Sequence, residues 1–229
     1  METRNPTLNK SACALLMLCG LLLNRPALSQ QASGTGDQGP ARLGYTRVLK
    51  GSSPEYIALT VNEDGTGTYD GRQLADSPRP VSFKLTSATT QRLFALASEL
   101  NNFQSVDLES HKKVANLGEK TFTYARDGKE SSTTFNYTFR KEAQDLSETF
   151  ERIAVVEQHV QTLQFAIKYD PLSLPGDLLR VQIDLANKAL ADPEMMVPTL
   201  EEIARNPRFM HLAQARAQDI LQRVQNTNQ

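Results

Sequence analysis

The feature that most constrains the fold is a change of hydrophobic period near residue 140. Before it, apart from one helical segment after Ser87, apolar and polar residues alternate in short runs; after it, apolar residues recur every three or four positions. A period of two puts alternate side chains on one face of a strand, whereas a period near 3.6 lays a stripe along a helix. The chain is therefore expected to build a sheet first and then cover it with helices, an α+β arrangement.

Residues 45–50, 55–61, 66–70 and 81–85 read as strands, because β-branched and aromatic residues are bounded by the turn Asn62-Glu63-Asp64-Gly65 and by Gly71. Ser87 stands where a helix cap is wanted, and Leu93, Leu96, Ala97, Leu100 and Phe103 follow at helical spacing. Residues 120–126 and 131–139 flank Asp127-Gly128, a dipeptide suited to the positive φ of a tight hairpin turn. The first half thus predicts an antiparallel sheet of about six strands with one packed helix. In residues 141–168, Leu146, Phe150, Ile153, Val156, Val160, Leu163 and Ile167 keep a three-four spacing, which predicts one helix of about 40 Å.

Asp170-Pro171, Asp192-Pro193 and Asn206-Pro207 each set a capping side chain before a proline, which the first helical turn tolerates. Helices over 178–190, 193–204 and 207–224 are expected to follow them. The similar openings at Pro193 and Pro207 weakly resemble stacked helical hairpins of solenoid repeats, but a small C-terminal helical bundle capping the sheet fits so short a segment better.

At the other end, Arg4 and Lys10 precede an apolar run at residues 11–23 that falls short of the roughly 20 residues needed to span a bilayer. Ala27-Leu28-Ser29 supplies a small-x-small cleavage pattern before Gln30, so residues 1–29 read as a signal peptide and the protein as periplasmic or secreted. Leu16-Met17-Leu18-Cys19-Gly20 resembles a bacterial lipobox but has Leu18 where a small residue is required. Residues 30–44, rich in Gln, Gly and Ser, read as a flexible leader. An α+β domain over 45–168 and a C-terminal helical unit over 169–226 complete the expected organisation.

Both cysteines, Cys13 and Cys19, fall in the expected signal peptide, so the mature chain would have no disulfide, thiolate metal site or cysteine nucleophile. Removing Arg4, Lys10, Arg25 and Glu2 with that segment leaves 22 basic against 25 acidic residues, a formal net charge of −3. Such a balance gives no general attraction to nucleic acid, and no later segment is apolar enough for an integral membrane span.

Little in the sequence points to catalysis. His111, His159 and His211 have no histidine or carboxylate partner at metal-ligand spacing, and no nucleophile elbow or phosphate-binding glycine loop occurs. No catalytic residue, cofactor or metal is assigned. Positive charge gathers in residues 109–120, where His111, Lys112, Lys113 and Lys120 surround Gly118 and form the candidate partner-binding site for an acidic group. The alternative is a solvated loop whose lysines protect a sheet edge.

Pro54-Glu55-Tyr56-Ile57-Ala58-Leu59-Thr60-Val61, then Asp64-Gly65, then Tyr69-Asp70-Gly71, resembles an uncharacterised exported bacterial domain whose members carry Cys-Pro-x-Tyr, an Asp-Gly turn and Tyr-x-Gly. The resemblance covers residues 45–139 and implies an envelope setting but no activity; Ser53 stands where the relatives often have cysteine. The expected function is a non-catalytic binding or envelope-associated module whose partner is another envelope or secreted protein. The alternative is a hydrolase-like enzyme with an unrecognised site.

Overall fold

The structure, a computed structural model, describes residues 39–226, so the expected signal peptide lies outside the described residues. Six strands form one antiparallel sheet: β1 (Arg42–Val48), β2 (Tyr56–Asn62), β3 (Thr66–Arg72), β4 (Val81–Lys84), β5 (Glu119–Arg126) and β6 (Lys129–Phe135). Their order is β4-β3-β2-β1-β5-β6. Two hairpin runs are thus joined at β1, and the connection after β4 carries the first helix, α1 (Ser87–Glu99), across the sheet. The α+β class and the C-terminal helical part are as the periodicity predicts.

The alternation sorts the two faces. Tyr45 pairs with Leu59 on one side and Phe122 on the other, and Leu43 pairs with Val61 and Tyr124, so the apolar set shares one face. One residue along, Gly44 pairs with Thr60 and Thr123, which begins an outward face rich in threonine and serine. The hydroxyls of Thr60 and Thr68 lie 2.6 Å apart and those of Thr121 and Thr134 2.9 Å apart, so the polar face is tied across its strands.

The inner face is covered by α1 and by α2 (Lys141–Tyr169), whose Leu146, Phe150, Ile153 and Ala154 are buried against it. The Phe150 ring stacks on Tyr45 at 5.2 Å between centroids and 4° between planes. Beyond Ile153 the buried side of α2 turns from the sheet to the C-terminal helices α3 (Leu174–Ala186), α4 (Val197–Arg205) and α5 (His211–Asn226). Val156, Leu163 and Ala166 sit in this second core, with Val160 half-buried beside them. One long helix thus serves two cores, and the C-terminal helices belong to the same compact unit as the sheet. Among the described residues no helix is long and apolar enough to cross a membrane.

Three local expectations are corrected. The leader expected over 30–44 gives way to β1 at Arg42, because Ala41 and Leu43 are fully buried and the Ala41 and Glu63 main chains bond at the end of the ladder. The cap of α1 is Thr86 rather than Ser87; its hydroxyl accepts the Thr89 N–H. Of the proline steps, only Pro193 opens a helical turn directly, the 3-10 turn Pro193–Met196 that leads into α4. Asp170 and Asn206 stand as the C-terminal caps of α2 and α4, and the Asn206 Oδ1 accepts the Arg208 N–H in the turn that follows, two residues into a segment that reaches α5 only at His211.

Candidate functional site

Where α2 passes from one core to the other, its buried side carries Glu157 at the helical position that continues Phe150 and Ile153. Glu157 is only 4% exposed. No hydrogen bond or ion pair reaches its carboxyl from the other described residues. Burial pushes its pKa up to about 7, since removing a charge from water favours the neutral acid.

The carboxyl lines a groove of about 420 Å³ with three walls. One is β4, from Val81 to Lys84; a second is α2, through Glu157, Val160, Gln161 and Gln164; the third is formed by Glu194, Met195, Pro198 and Thr199. β4 ends the sheet order, so its outer side is an open edge among the described residues. The Leu85 N–H donates to Gly65 O at 2.9 Å, and Phe83 pairs with Gly67. Main-chain groups alternate in direction along an antiparallel strand, so those of Ser82 and Lys84 face the open edge. The Phe83 ring covers Gly67, where a Cβ would come within 2.6 Å of it and within 2.3 Å of the Thr60 carbonyl oxygen. A glycine here lets the ring lie flat on the strand.

The third wall is fixed by Asp192, which adopts left-handed backbone geometry at φ 60° and is 6% exposed. Its Oδ2 accepts the Thr86 N–H at 2.6 Å and the Thr86 hydroxyl at 3.1 Å, which fastens the C-terminal unit to the start of α1. Its Oδ1 is buried without a donor. Burial, followed by the neighbouring Glu194 carboxyl, raises Asp192 to about 6 against the opposing pull of the Thr86 N–H. The one cation on the groove wall, Lys84, is held by Asp64: its ammonium donates to the Asp64 carbonyl and lies 4.0 Å from the carboxylate.

The residues singled out from sequence do not form one site. His111, Lys112 and Lys113 are exposed on the loop before β5, with His111 Nε2 2.7 Å from Asp107 Oδ2. The Asp107 hydrogen bond raises the His111 pKa. Lys120 shares the inward register of Phe122 and is half-buried; its ammonium donates to the carbonyls of Leu117, Gly118 and Asn136. Burial lowers its pKa. It closes the loop rather than adding to the patch, and acidic Glu109 and Glu119 border the same surface. His159 bonds Asp184 at 2.8 Å and ties α2 to α3, while His211 begins α5.

The groove residues were missed because they lie far apart in the chain, at 81–84, 157 and 194–199. A partial signal was present: Glu157 lies four residues after Ile153 and three before Val160, beside Val156 on the buried side of the stripe. An acid on the buried side of a helix marks a site or a strong partner. Among the described residues, no group of three His, Cys, Asp or Glu side chains is arranged to hold a metal ion. No protein-family model matches the chain, and no curated protein matches it in sequence.

Proposed function

We propose that this chain is an exported, non-catalytic binding module that takes an extended segment of another envelope or secreted protein as an added strand on β4. The open edge of β4 along one wall of the groove carries this reading. An added strand gains main-chain hydrogen bonds from the edge, and its alternate side chains enter the groove, where they acquire specificity. The expected signal peptide and the resemblance of residues 45–139 to an exported domain support the envelope setting.

A displayed library of random octapeptides tests it. Peptides selected on the wild type should bind Ser82→Pro at least tenfold more weakly, because proline removes an N–H that faces the incoming strand and no bond of the β3 ladder. An unchanged melting temperature checks that the variant is folded. Equal binding to both proteins, or no selected peptide at all, would overturn the reading.

The alternative is a hydrolase-like enzyme, favoured by one observation: a carboxyl held near pH 7 shares the groove with a second one, Glu194. A pair of carboxyls, one of them held as the acid, is the equipment of acid-assisted glycoside cleavage. Release of reducing ends from cell-wall glycan by wild type and not by Glu157→Gln would establish it in place of the binding module.

A further inference from the structure

We infer that the segment taken up by the groove is basic, and that a lysine or arginine of the added strand inserts between β4 and α2 to meet the Glu157 carboxyl. This rests on the strand-addition reading and gives it a partner chemistry.

The shape of the groove supplies the first reason. Val81, Phe83, Val160 and Met195 line the groove together with Glu157, so the acid shares it with apolar side chains. A long cationic side chain fits such a site because its methylene stem packs on apolar atoms while its head reaches the charge. Alternate side chains of an added strand fall on the inward face of the sheet, beside Val81 and Phe83.

Electrostatics supplies the second. Glu157 is buried without a donor, and the groups around it leave its charge uncompensated. Tyr69 of β3 is a neutral phenol, Glu194 on the third wall is another acid paired with Asp192, and Lys84 of β4 is occupied by Asp64. Gln161 and Gln164 are neutral. The raised pKa records the cost of that isolation, and an entering ammonium or guanidinium would offset it.

The octapeptide library is selected in parallel on wild type, Glu157→Gln and Ser82→Pro at pH 7.5. On wild type, lysine and arginine should be enriched at least fivefold at one position of the recovered peptides, and this enrichment should vanish on Glu157→Gln. Melting curves confirm that Glu157→Gln is folded. If the wild-type peptides show no basic enrichment, or the same enrichment persists on Glu157→Gln, the inference is overturned. Peptides lost on Ser82→Pro without a basic preference leave strand addition intact and sink only the basic partner. Basic peptides recovered equally on Ser82→Pro sink strand addition and keep the role of Glu157. Synthetic versions of the recovered peptides with that lysine acetylated should bind at least tenfold more weakly, and equal binding would exclude a charge contact.

Discussion

Replacing Glu157 by glutamine should stabilise the protein, and the gain should grow with pH. The carboxyl is buried without a partner and holds its proton up to about pH 7, against 4.5 for an ordinary glutamate. A carboxyl whose folded pKa is raised binds protons more tightly in the native state, so its stabilising effect is complete below about pH 4.5 and is lost as the pH rises to 7. The shift of about 2.5 units, at roughly 1.4 kcal/mol per unit, amounts to about 3 kcal/mol. Glutamine copies the neutral acid in size and does not ionise. The variant and wild type should therefore be nearly equal at pH 4.5, and the variant about 3 kcal/mol more stable at pH 8.

Urea denaturation across pH 4.5 to 8 measures this directly, and the difference between the proteins cancels groups that titrate alike in both. For a domain of this size the same gain corresponds to about 6–12 °C in melting temperature. A constant difference across the pH range, or a variant less stable at pH 8, would refute the reasoning, since either result means that ionised Glu157 is solvated or paired. A stabilising substitution at a buried acid is also what a site selected for binding rather than for stability would show.

Phe150→Ala should cost about 3–5 kcal/mol in denaturant, because the ring is fully buried and stacked on Tyr45; a loss below 1 kcal/mol would show that α2 does not anchor the sheet core. Asp192→Ala should cost about 1–3 kcal/mol by leaving the Thr86 N–H without its acceptor. Asp192→Asn keeps an oxygen there and tolerates the left-handed backbone, so it should stay within about 1 kcal/mol of wild type by the same assay. If residues 1–29 act as the proposed signal peptide, mass spectrometry of the mature protein should find Gln30 as its first residue, and a lipid-bearing Cys19 would contradict this. The melting temperature of that form should not respond to dithiothreitol, since both cysteines would have left with the signal peptide.

The sheet was legible because each strand obeys a local rule. The run at 55–61 alternates cleanly, Asp127-Gly128 makes the hairpin between β5 and β6, and the boundaries are within a few residues of those seen. What sequence reading missed was set by tertiary context. Leu43 alone, in a stretch of Gly, Gln and Ser, gives no strand signal; it joins β1 because Val61 and Tyr124 wait on either side of it. Asp192 stands before Pro193 where a cap for its own helix is expected, yet its carboxyl serves Thr86, 106 residues away.

The candidate site was hidden for the same reason, carried further. The charged loop at 109–120 drew attention because its residues are adjacent in the chain, but adjacency says nothing about burial, and Lys120 turns inward to hold three carbonyls. Glu157 drew none, because one acid in a helix of 29 residues is ordinary until its face is known. Its face follows from Phe150 and Ile153, which are buried against the sheet two turns and one turn earlier. The sheet beneath them ends at the short edge strand β4, and the C-terminal helices pack against α2. Glu157 thus lies at the junction of the two cores, after Ala154 of the first and beside Val156 of the second. An apolar residue there would only extend the core. An acid leaves the groove open beside an unpaired strand edge, at a stability cost that a bound segment would recover.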